Sequence, residues 1–373
     1  MIIKTESLKK VTDNILPAVD TTGVSNVTDN LEMYVESGTL YICVTNNEYY
    51  VKSKLELGYE EPFHATVNAT LFLKLISQIT TEDIELTTDE NALHIKANGV
   101  YKLPLIYYGE ELLVLPKIEI ENPTCNMSIK TEVLNSILKY NSKELTKGII
   151  SRPVQKMYYV DENGAITFTS GACVNSFKLE KPVKMLLSGK VVKLFKLFAD
   201  ESVNFVLGYD EISQSIIQTK VMFEDSNTQL TAILQCDDTM LRSVPVNNIR
   251  GRAENVYPYS VVINKNSLIQ SINRLSVLMD RGVRDGFQLT AKFAFSKDSV
   301  TISDASSDNT ETISYANACD ALESGYEAYF DLADIKSTLQ VCDDAYLTFN
   351  FGDTCALVIA RTNIFNVIPE CHV

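Results

Sequence analysis

The sequence is poor in the residues from which catalytic and metal sites are built. It contains no tryptophan and only three histidines, His64, His94 and His372. None of them stands at the spacing of a zinc-ligand set or of an HExxH motif. The sequence also lacks a Walker loop, a GxGxxG fingerprint and a GxSxG nucleophile motif. We therefore expect no catalytic residues, no metal site and no cofactor, in a protein that is not an enzyme.

Long apolar runs and paired cysteines are absent as well. No stretch is apolar for long enough to span a bilayer, and the first residues lack the apolar segment of a signal peptide. The eight cysteines are scattered, without a CxxC or any close pair, which is typical of reduced thiols. The sequence thus predicts a cytoplasmic protein with no membrane partner.

Acidic residues leave one enzymatic alternative open. Asp237, Asp238 and Asp304 are the carboxylates on which an undetected hydrolase would depend. The first two lie in a loop-like segment, where a role in a turn is favoured over catalysis. No nucleophile–base pair accompanies them, so this hypothesis ranks last.

What the sequence does contain is one unit used six times. An amphipathic helix pattern, with apolar residues at steps of three and four, is followed by the alternating pattern of a β-hairpin. The six copies begin near Glu6, Asn68, Lys130, Ser188, Asn264 and Asp331. Four of these helices are predicted to be capped by a side-chain oxygen, from Asn68, Ser188, Asn264 and Asp331. Only the hairpin of the fourth copy, between Val203 and Phe223, is irregular.

Two copies of this unit suffice for one two-layer domain. The six copies therefore predict an α+β protein of three tandem domains, residues 1–122, 123–249 and 250–373. Each domain would have two helices packed on an antiparallel sheet. Chance alternation of helices and hairpins is the alternative, but six copies in order argue against it.

Charge is distributed unevenly along the chain. The formal net charge is −15, which argues against a simple nucleic-acid binder because phosphate contacts need cations. The six helix segments nevertheless carry a small net positive charge. Lys190, Lys193 and Lys196 share one helix face, and Lys139, Lys143 and Lys147 share another. Solvated helix surface explains any single stripe, but together they indicate weakly cationic helices on an acidic body.

Several segments carry a family resemblance. In the last third they are NRLSVLM (273–279), GFQL (286–289), VTISD (300–304), ETI (311–313), YFDLADIKSTL (329–339) and VIPECHV (367–373). In the middle they are MYYV (157–160), FTSGACV (168–174) and LRSVP (241–245). These segments resemble the bacterial DNA polymerase III beta sliding clamp family, the processivity subunits of replicative DNA polymerases. The divergence and the lack of tryptophan suggest a phage or mobile-element member.

The resemblance implies a fold and a function. The fold would be the DNA clamp fold, three copies of a doubled domain, which agrees with the six-fold repeat. Two chains would join head to tail in a ring around double-stranded DNA, without reading its sequence. The homodimer would tether a DNA polymerase, and short peptide motifs would bring that polymerase and a clamp loader to it. The alternative is a clamp-fold scaffold for protein interactions that does not encircle DNA.

The resemblance also implies three sets of site residues. The DNA-facing cations would be Lys9, Lys10, Lys74, Lys139, Lys143, Lys193, Lys196 and Arg274. The partner-peptide pocket would comprise Val160, Thr169, Gly171, Ala172, Cys173, Val174, Arg242, Ser243, Asn366, Val367, Ile368 and Pro369. The dimer interface would pack Val277 and Leu278 against Tyr101 of the neighbouring copy. Ordinary core packing is an equal alternative for Val160, Val174, Ile368 and the two interface residues of the fifth helix.

The pocket departs from the family pattern at two places. Ala172-Cys173 replaces the usual His-Arg after the glycine, and Glu370 replaces the methionine after the tail proline. The rim of the pocket is therefore expected to be smaller and more acidic. Whether the pocket still prefers the peptide motif that the family binds is left open.

Overall fold

A computed structural model describes residues 1–20, 27–144, 152–213, 216–234, 238–279, 289–304, 308–352 and 356–371. The chain divides into two compact units. The first comprises Met1–Asn135 and Leu187–Cys236, and the second comprises Ser136–Leu186 and Asp237–Val373. Within the described residues both units are built from antiparallel sheets and short helices.

The helices and strands of the described residues are as follows. The α-helices are α1 (Thr5–Ile15), α2 (Ala69–Gln78), α3 (Thr131–Ser136), α4 (Ser142–Glu144), α5 (Gly189–Lys193), α6 (Asp238–Ser243), α7 (Val246–Ala253), α8 (Lys265–Met279) and α9 (Leu332–Gln340). A π-helix covers Ile137–Asn141, and 3₁₀ turns cover Leu16–Ala18, Pro153–Lys156, Leu194–Leu197 and Asp320–Leu322. The strands are β1 (Ile2–Lys4), β2 (Asn30–Glu36), β3 (Thr39–Thr45), β4 (Tyr49–Glu56), β5 (His64–Asn68), β6 (Asp83–Thr88), β7 (Ala92–Lys96), β8 (Val100–Pro104), β9 (Tyr107–Tyr108), β10 (Glu111–Leu112), β11 (Asn122–Lys130), β12 (Met157–Asp161), β13 (Gly164–Phe168), β14 (Ala172–Ser176), β15 (Lys184–Ser188), β16 (Ser202–Ser213), β17 (Ile216–Glu224), β18 (Thr228–Ile233), β19 (Tyr259–Asn264), β20 (Thr290–Phe295), β21 (Ser299–Ser303), β22 (Thr310–Ser314), β23 (Tyr326–Asp331), β24 (Tyr346–Phe351), β25 (Ala356–Arg361) and β26 (Ile364–Pro369).

The first unit contains one four-stranded and one eight-stranded sheet, besides the two-stranded pair β9–β10. The smaller sheet has the strand order β1-β6-β7-β8, and the larger one β11-β16-β17-β18-β4-β3-β2-β5. The larger sheet is two sets of four strands, joined where Thr228 to Ala232 of β18 pair with Tyr49 to Ser53 of β4. Phe195, Phe205 and Phe223 pack together in its core, with ring centroids 5.0 and 5.4 Å apart.

The second unit repeats this arrangement. Its eight-stranded sheet has the order β15-β12-β13-β14-β26-β25-β24-β19, and its four-stranded sheet the order β22-β21-β20-β23. The two sets of four in the larger sheet meet where β14 pairs with β26. Helices α8 and α9 pack against each other and cover a core that includes Leu268, Ile272, Phe293, Phe330 and Leu339.

All six predicted helix starts are confirmed, and so are the four predicted caps. The side chains of Asn68 and Ser188 accept hydrogen bonds from the backbone N–H of Leu71 and Val191. The Asn264 oxygen accepts from the Ser267 N–H at 3.0 Å, and Asp331 accepts from the N–H groups of Ala333 and Asp334. Each cap satisfies donors that the first turn of a helix leaves without a partner.

The hairpins follow the prediction, including its exception. Hairpins β6–β7, β12–β13, β20–β21 and β24–β25 have strands of five or six residues. In the fourth copy, β16 and β17 have 12 and 9 residues, with a register shift between Glu211 and Ser213. The sequence pattern of the fourth copy is therefore irregular because its hairpin is longer and contains a bulge.

Candidate functional site

Five of the eight predicted DNA-facing cations lie on helices of the first unit: Lys9 and Lys10 on α1, Lys74 on α2, Lys193 at the end of α5, and Lys196 in the following 3₁₀ turn. All are exposed except Lys9, which is half-buried, and none forms an ion pair with another described residue. In a 3₁₀ turn, side chains three residues apart lie in line, so the ammonium groups of Lys193 and Lys196 project from one face. These two exposed ammonium groups can attract anions.

Lys139 and Lys143 lie where α3 changes into the π-helix and α4. The wider π-helical turn places Asn141 towards the sheet, where its side chain donates to the carbonyl of Cys173 and to the Thr167 hydroxyl. Lys139 is paired with the carboxylate of Asp343. The hydrogen bond from Lys139 is the main cause that lowers the pKa of Asp343. The sequence pattern predicts three lysines on one regular helix face and does not predict this turn. Lys147, the third of them, lies outside the described residues.

Arg274 of α8 is also paired. Its guanidinium donates to both carboxylate oxygens of Glu311 on β22, at 2.6 and 2.7 Å. The Ser271 hydroxyl donates to the same carboxylate at 3.1 Å. These bonds, with that from Arg274 first, lower the pKa of Glu311.

The predicted peptide-pocket residues concentrate at the β14–β26 junction of the second unit. Ala172 pairs with Val367, Cys173 with Asn366, and Val174 with Phe365. Residues opposite each other in an antiparallel pair lie on the same face of the sheet. The junction thus brings the FTSGACV segment and the tail together, as the resemblance implies.

These residues are divided between two faces. Thr167 and its neighbour Cys173 face the π-helix, because the Thr167 hydroxyl contacts Asn141. Because side chains alternate along a strand, the register places Val160, Cys173, Asn366 and Ile368 on this face. It places Ala172, Val174, Val367 and Pro369 on the opposite face, against which α7 packs. The structure therefore does not bring all twelve residues to one surface.

Gly171 lies at the edge of the junction, in the turn where the Thr169 N–H donates to the Gly171 carbonyl. A Cβ atom on Gly171 would lie 2.4 Å from the Val367 carbonyl oxygen and 3.3 Å from Pro369. The Thr169 hydroxyl donates to the buried carboxylate of Glu144 at 2.9 Å. Only a residue without a side chain permits this approach of β14 and β26.

Arg242 and Ser243 lie apart from that junction, exposed on α6. Arg242 lines a cavity of about 650 Å³ between the α6–α7 segment and the strands β12 and β15. Its floor includes the bidentate ion pair between Arg250 of α7 and Asp161 of β12, at 2.6 and 2.8 Å. This pair joins residues 89 positions apart, so no local sequence pattern predicts it.

The predicted interface residues lie beside two open sheet edges. Tyr101 is half-buried on β8, the last strand of its sheet, which pairs only with β7 among the described strands. Val277 and Leu278 are 70% and 49% exposed near the end of α8, which contacts β22. β22 is likewise a last strand and pairs only with β21 among the described strands. Exposed apolar residues next to an unpaired strand indicate a protein contact.

The carboxylates of the hydrolase hypothesis do not assemble a visible site. Asp238 pairs with Arg242 on the exposed face of α6 at 3.3 Å, and Asp304 accepts from the side chain of Asn309. Asp237 lies outside the described residues. Within the described ranges, no group of three histidine, cysteine or acidic residues could hold a metal ion.

None of the described helices has the length and apolar character needed to cross a membrane.

Known proteins match this chain in sequence profile and in structure. Residues 1–110 match the profile of the DNA polymerase III beta subunit, N-terminal domain. The whole chain is similar to the beta subunit from DNA polymerase of Streptococcus pyogenes, with 14% identity, a TM-score of 0.81 and coverage of 100% of this chain and 99% of that chain. It is also similar to the DNA polymerase sliding clamp from Bacillus subtilis, with 15% identity, a TM-score of 0.78 and coverage of 100% and 98%.

A third similar structure is the DNA polymerase III beta subunit from Thermotoga maritima, with 15% identity, a TM-score of 0.78 and coverage of 100% and 99%. A comparison with curated proteins found no match. Residues 1–110 therefore match the N-terminal domain of the DNA polymerase III beta subunit family, and the whole chain has the fold of the bacterial sliding clamps, which confirms the resemblance and the fold predicted from the sequence.

Proposed function

We propose that this protein is a DNA sliding clamp, a homodimeric ring that encircles duplex DNA and tethers a replicative DNA polymerase. The observation that carries this proposal is the likeness to sliding clamps over the full length of both chains, with TM-scores of 0.78 and 0.81. On this proposal the protein is not an enzyme, needs no cofactor or metal, and acts in the cytoplasm, in a phage or mobile-element replication system.

The strand arrangement supports ring closure. Each eight-stranded sheet consists of two four-stranded sets, whereas the sheets that end at β8 and β22 are single sets. If β8 of one copy pairs with β22 of the next, the two single four-stranded sets form an eight-stranded sheet between the copies. That sheet would resemble the two eight-stranded sheets within each chain. Because this contact uses two different surfaces, it is heterologous and gives a closed ring when the rotation fits. Tyr101, Val277 and Leu278 would pack beside the joined strands.

The same arrangement supports three domains, residues 1–122, 123–249 and 250–373, because each contributes two four-stranded sets. Two chains would then supply six domains to the ring.

DNA would be held by topology rather than by strong contacts. The helix cations of the candidate site (Lys9, Lys10, Lys74, Lys139, Lys143, Lys193, Lys196 and Arg274) would face the duplex and contact its phosphates without reading sequence. An acidic remainder would keep DNA from the outer surface.

Polymerase and clamp loader would bind through short peptide motifs at the β14–β26 junction. Thr169, Gly171, Pro369, Arg242 and Ser243 are accessible there or nearby. Ala172, Val174 and Val367 would form the floor beneath α7. Val160, Cys173, Asn366 and Ile368 would support that floor from the opposite face.

Retention on DNA tests the proposal. The protein is incubated with a clamp loader and either nicked circular or linear duplex DNA, and the bound fraction is measured after a wash at moderate salt. We expect retention on the circle and loss from the linear DNA. Equal loss from both, together with binding to a polymerase, would contradict the proposal and favour the scaffold alternative.

A further inference from the structure

On the six repeated helices, three cations are each paired with an acidic residue from another element. Lys139 of the π-helix pairs with Asp343, which follows α9 and also lies 3.4 Å from the Tyr140 hydroxyl. Arg274 of α8 pairs with Glu311 of β22. Neither pair is a contact between helix neighbours, so each depends on the folded arrangement of distant segments.

The third cation is Lys190 of α5, in the first unit. Its ammonium lies 3.4 Å from the Glu48 carboxylate and 3.6 Å from that of Asp20. Glu48 is held in place because its second oxygen accepts from the Ser188 hydroxyl at 2.6 Å, the residue that caps α5. The carboxylate is therefore positioned by the same side chain that begins the helix.

Other helix cations differ from these three. Lys10, Lys74, Lys193 and Lys196 are exposed, and among the described residues they have no ion-pair partner. The helices thus present two classes of cation, one open to anions and one already neutralised. A phosphate that approaches a neutralised cation must displace the carboxylate. The displaced carboxylate then takes up a cation from solution, so the exchange gives little net release of counterions.

We propose that Asp343 and Glu48 are internal counter-anions that limit the affinity of the helix surface for DNA phosphates and so keep the clamp mobile on DNA. This inference rests on the proposed function and adds the residues that tune it. Glu311 plays the same part for Arg274. The pairs at Lys139 and Lys190 leave the lysines 42% and 52% exposed. Removing Asp343 makes the Lys139 ammonium available to phosphate, and removing Glu48 leaves Lys190 only the longer contact to Asp20 at 3.6 Å.

The test removes two of these carboxylates. In the variant Asp343→Asn/Glu48→Gln, the amides keep the size and acceptor oxygen of the acids but lose their charge. Binding to a short linear duplex, which the ring can thread over an open end, is measured by fluorescence anisotropy between about 50 and about 200 mM salt. Glu311 is left unchanged because β22 belongs to the proposed subunit joint.

The expected result is tighter binding with a steeper salt dependence. Each freed cation adds up to about 0.9 to the slope of log K against log salt. The double variant should therefore lose up to about tenfold more affinity than wild type across that salt range.

A matched control separates this effect from net charge. Asp320→Asn/Glu327→Gln removes the same two residue types, which pair with Lys297 and Lys292 at 2.7 and 2.9 Å outside the helices. It should leave the slope unchanged. Equal shifts in both variants, or no shift in either, would overturn the inference while wild-type binding still supports the proposed function. Failure of wild type and variants alike to bind at the lowest salt would overturn the inference alone, because a ring that holds DNA by topology does not need to bind an open-ended duplex.

Discussion

At the residue scale, Gly171 determines how closely two distant strands approach. Its Cα faces the Val367 carbonyl, and an added Cβ would lie 2.4 Å from that oxygen, closer than non-bonded atoms tolerate. Because the obstacle is backbone, the strand pair β14–β26 would have to separate. The glycine is thus required by the junction itself, whatever binds there.

Replacing Gly171 with alanine should destabilise the second unit by about 1–3 kcal/mol, the usual cost of forcing a group into packed structure. Urea unfolding followed by tyrosine fluorescence measures this, since the chain has no tryptophan. Gly251→Ala is the control, because nothing lies within 4 Å of its Cβ position on α7. It should be neutral or stabilising by up to about 1 kcal/mol. Equal unfolding midpoints for the two variants would contradict this account of Gly171.

The second residue-scale feature is the ion pair between Arg250 and Asp161. The side chain of Asp161 is 5% exposed and that of Arg250 18%. The hydrogen bonds that the guanidinium donates to Asp161 raise the pKa of Arg250. Removing one partner of a buried pair leaves an uncompensated charge, which typically costs about 3–5 kcal/mol.

Arg250→Gln should therefore lower the free energy of unfolding strongly, and Asp161→Asn/Arg250→Gln should recover much of the loss. The control is Arg242→Gln, whose exposed pair with Asp238 contributes little. If the double variant lost as much stability as Arg250→Gln and Asp161→Asn lose together as single variants, the pair would not be the source of the stability.

At the element scale, the sequence predicts helix starts and caps, which neighbouring residues determine. It does not predict the π-helical turn or the ion pair of Lys139, which depend on distant residues. The caps at Asn68 and Asp331 act within their own helices, so the pattern was sufficient to place the helix starts. The π-helical turn that ends in Asn141 depends on Cys173, 32 residues away. The partner of Lys139 lies 204 residues away.

The pocket prediction illustrates the same limit. A family resemblance placed Val160, Asn366 and Ile368 with Ala172 and Val367, but a strand register decides which face each side chain takes. That register joins segments almost 200 residues apart and cannot be read from either segment alone.

The end of helix α8 carries a prediction about assembly. Leu278 is 49% exposed beside the open edge of β22, so an aspartate there should leave the fold intact but place a charge in the proposed apolar contact. We expect Leu278→Asp to sediment as a monomer at concentrations where wild type is a dimer. Val256→Asp is the control, because Val256 is 90% exposed and precedes β19, which belongs to the other sheet of this unit. A Leu278→Asp variant that remains dimeric would contradict the proposed joint.

At the scale of the whole molecule, the proposed function relies on both charge and topology to hold DNA. The net charge of −15 argues against a strongly basic DNA-binding surface, and three of the cations on the repeated helices are paired with carboxylates within the fold. A closed ring needs no strong contact, because it leaves DNA only at an end or by opening. Weak phosphate contacts are then an advantage, since each strong one would slow movement along the duplex.

The most direct test of this account is escape from cut DNA. The protein is loaded on a nicked circle, the circle is cut once, and the bound fraction is followed with and without a bulky protein blocking both ends. We predict stable retention before the cut, rapid loss after it, and retention again when the ends are blocked. Loss at the same rate from intact, cut and end-blocked DNA would show that the protein does not encircle the duplex.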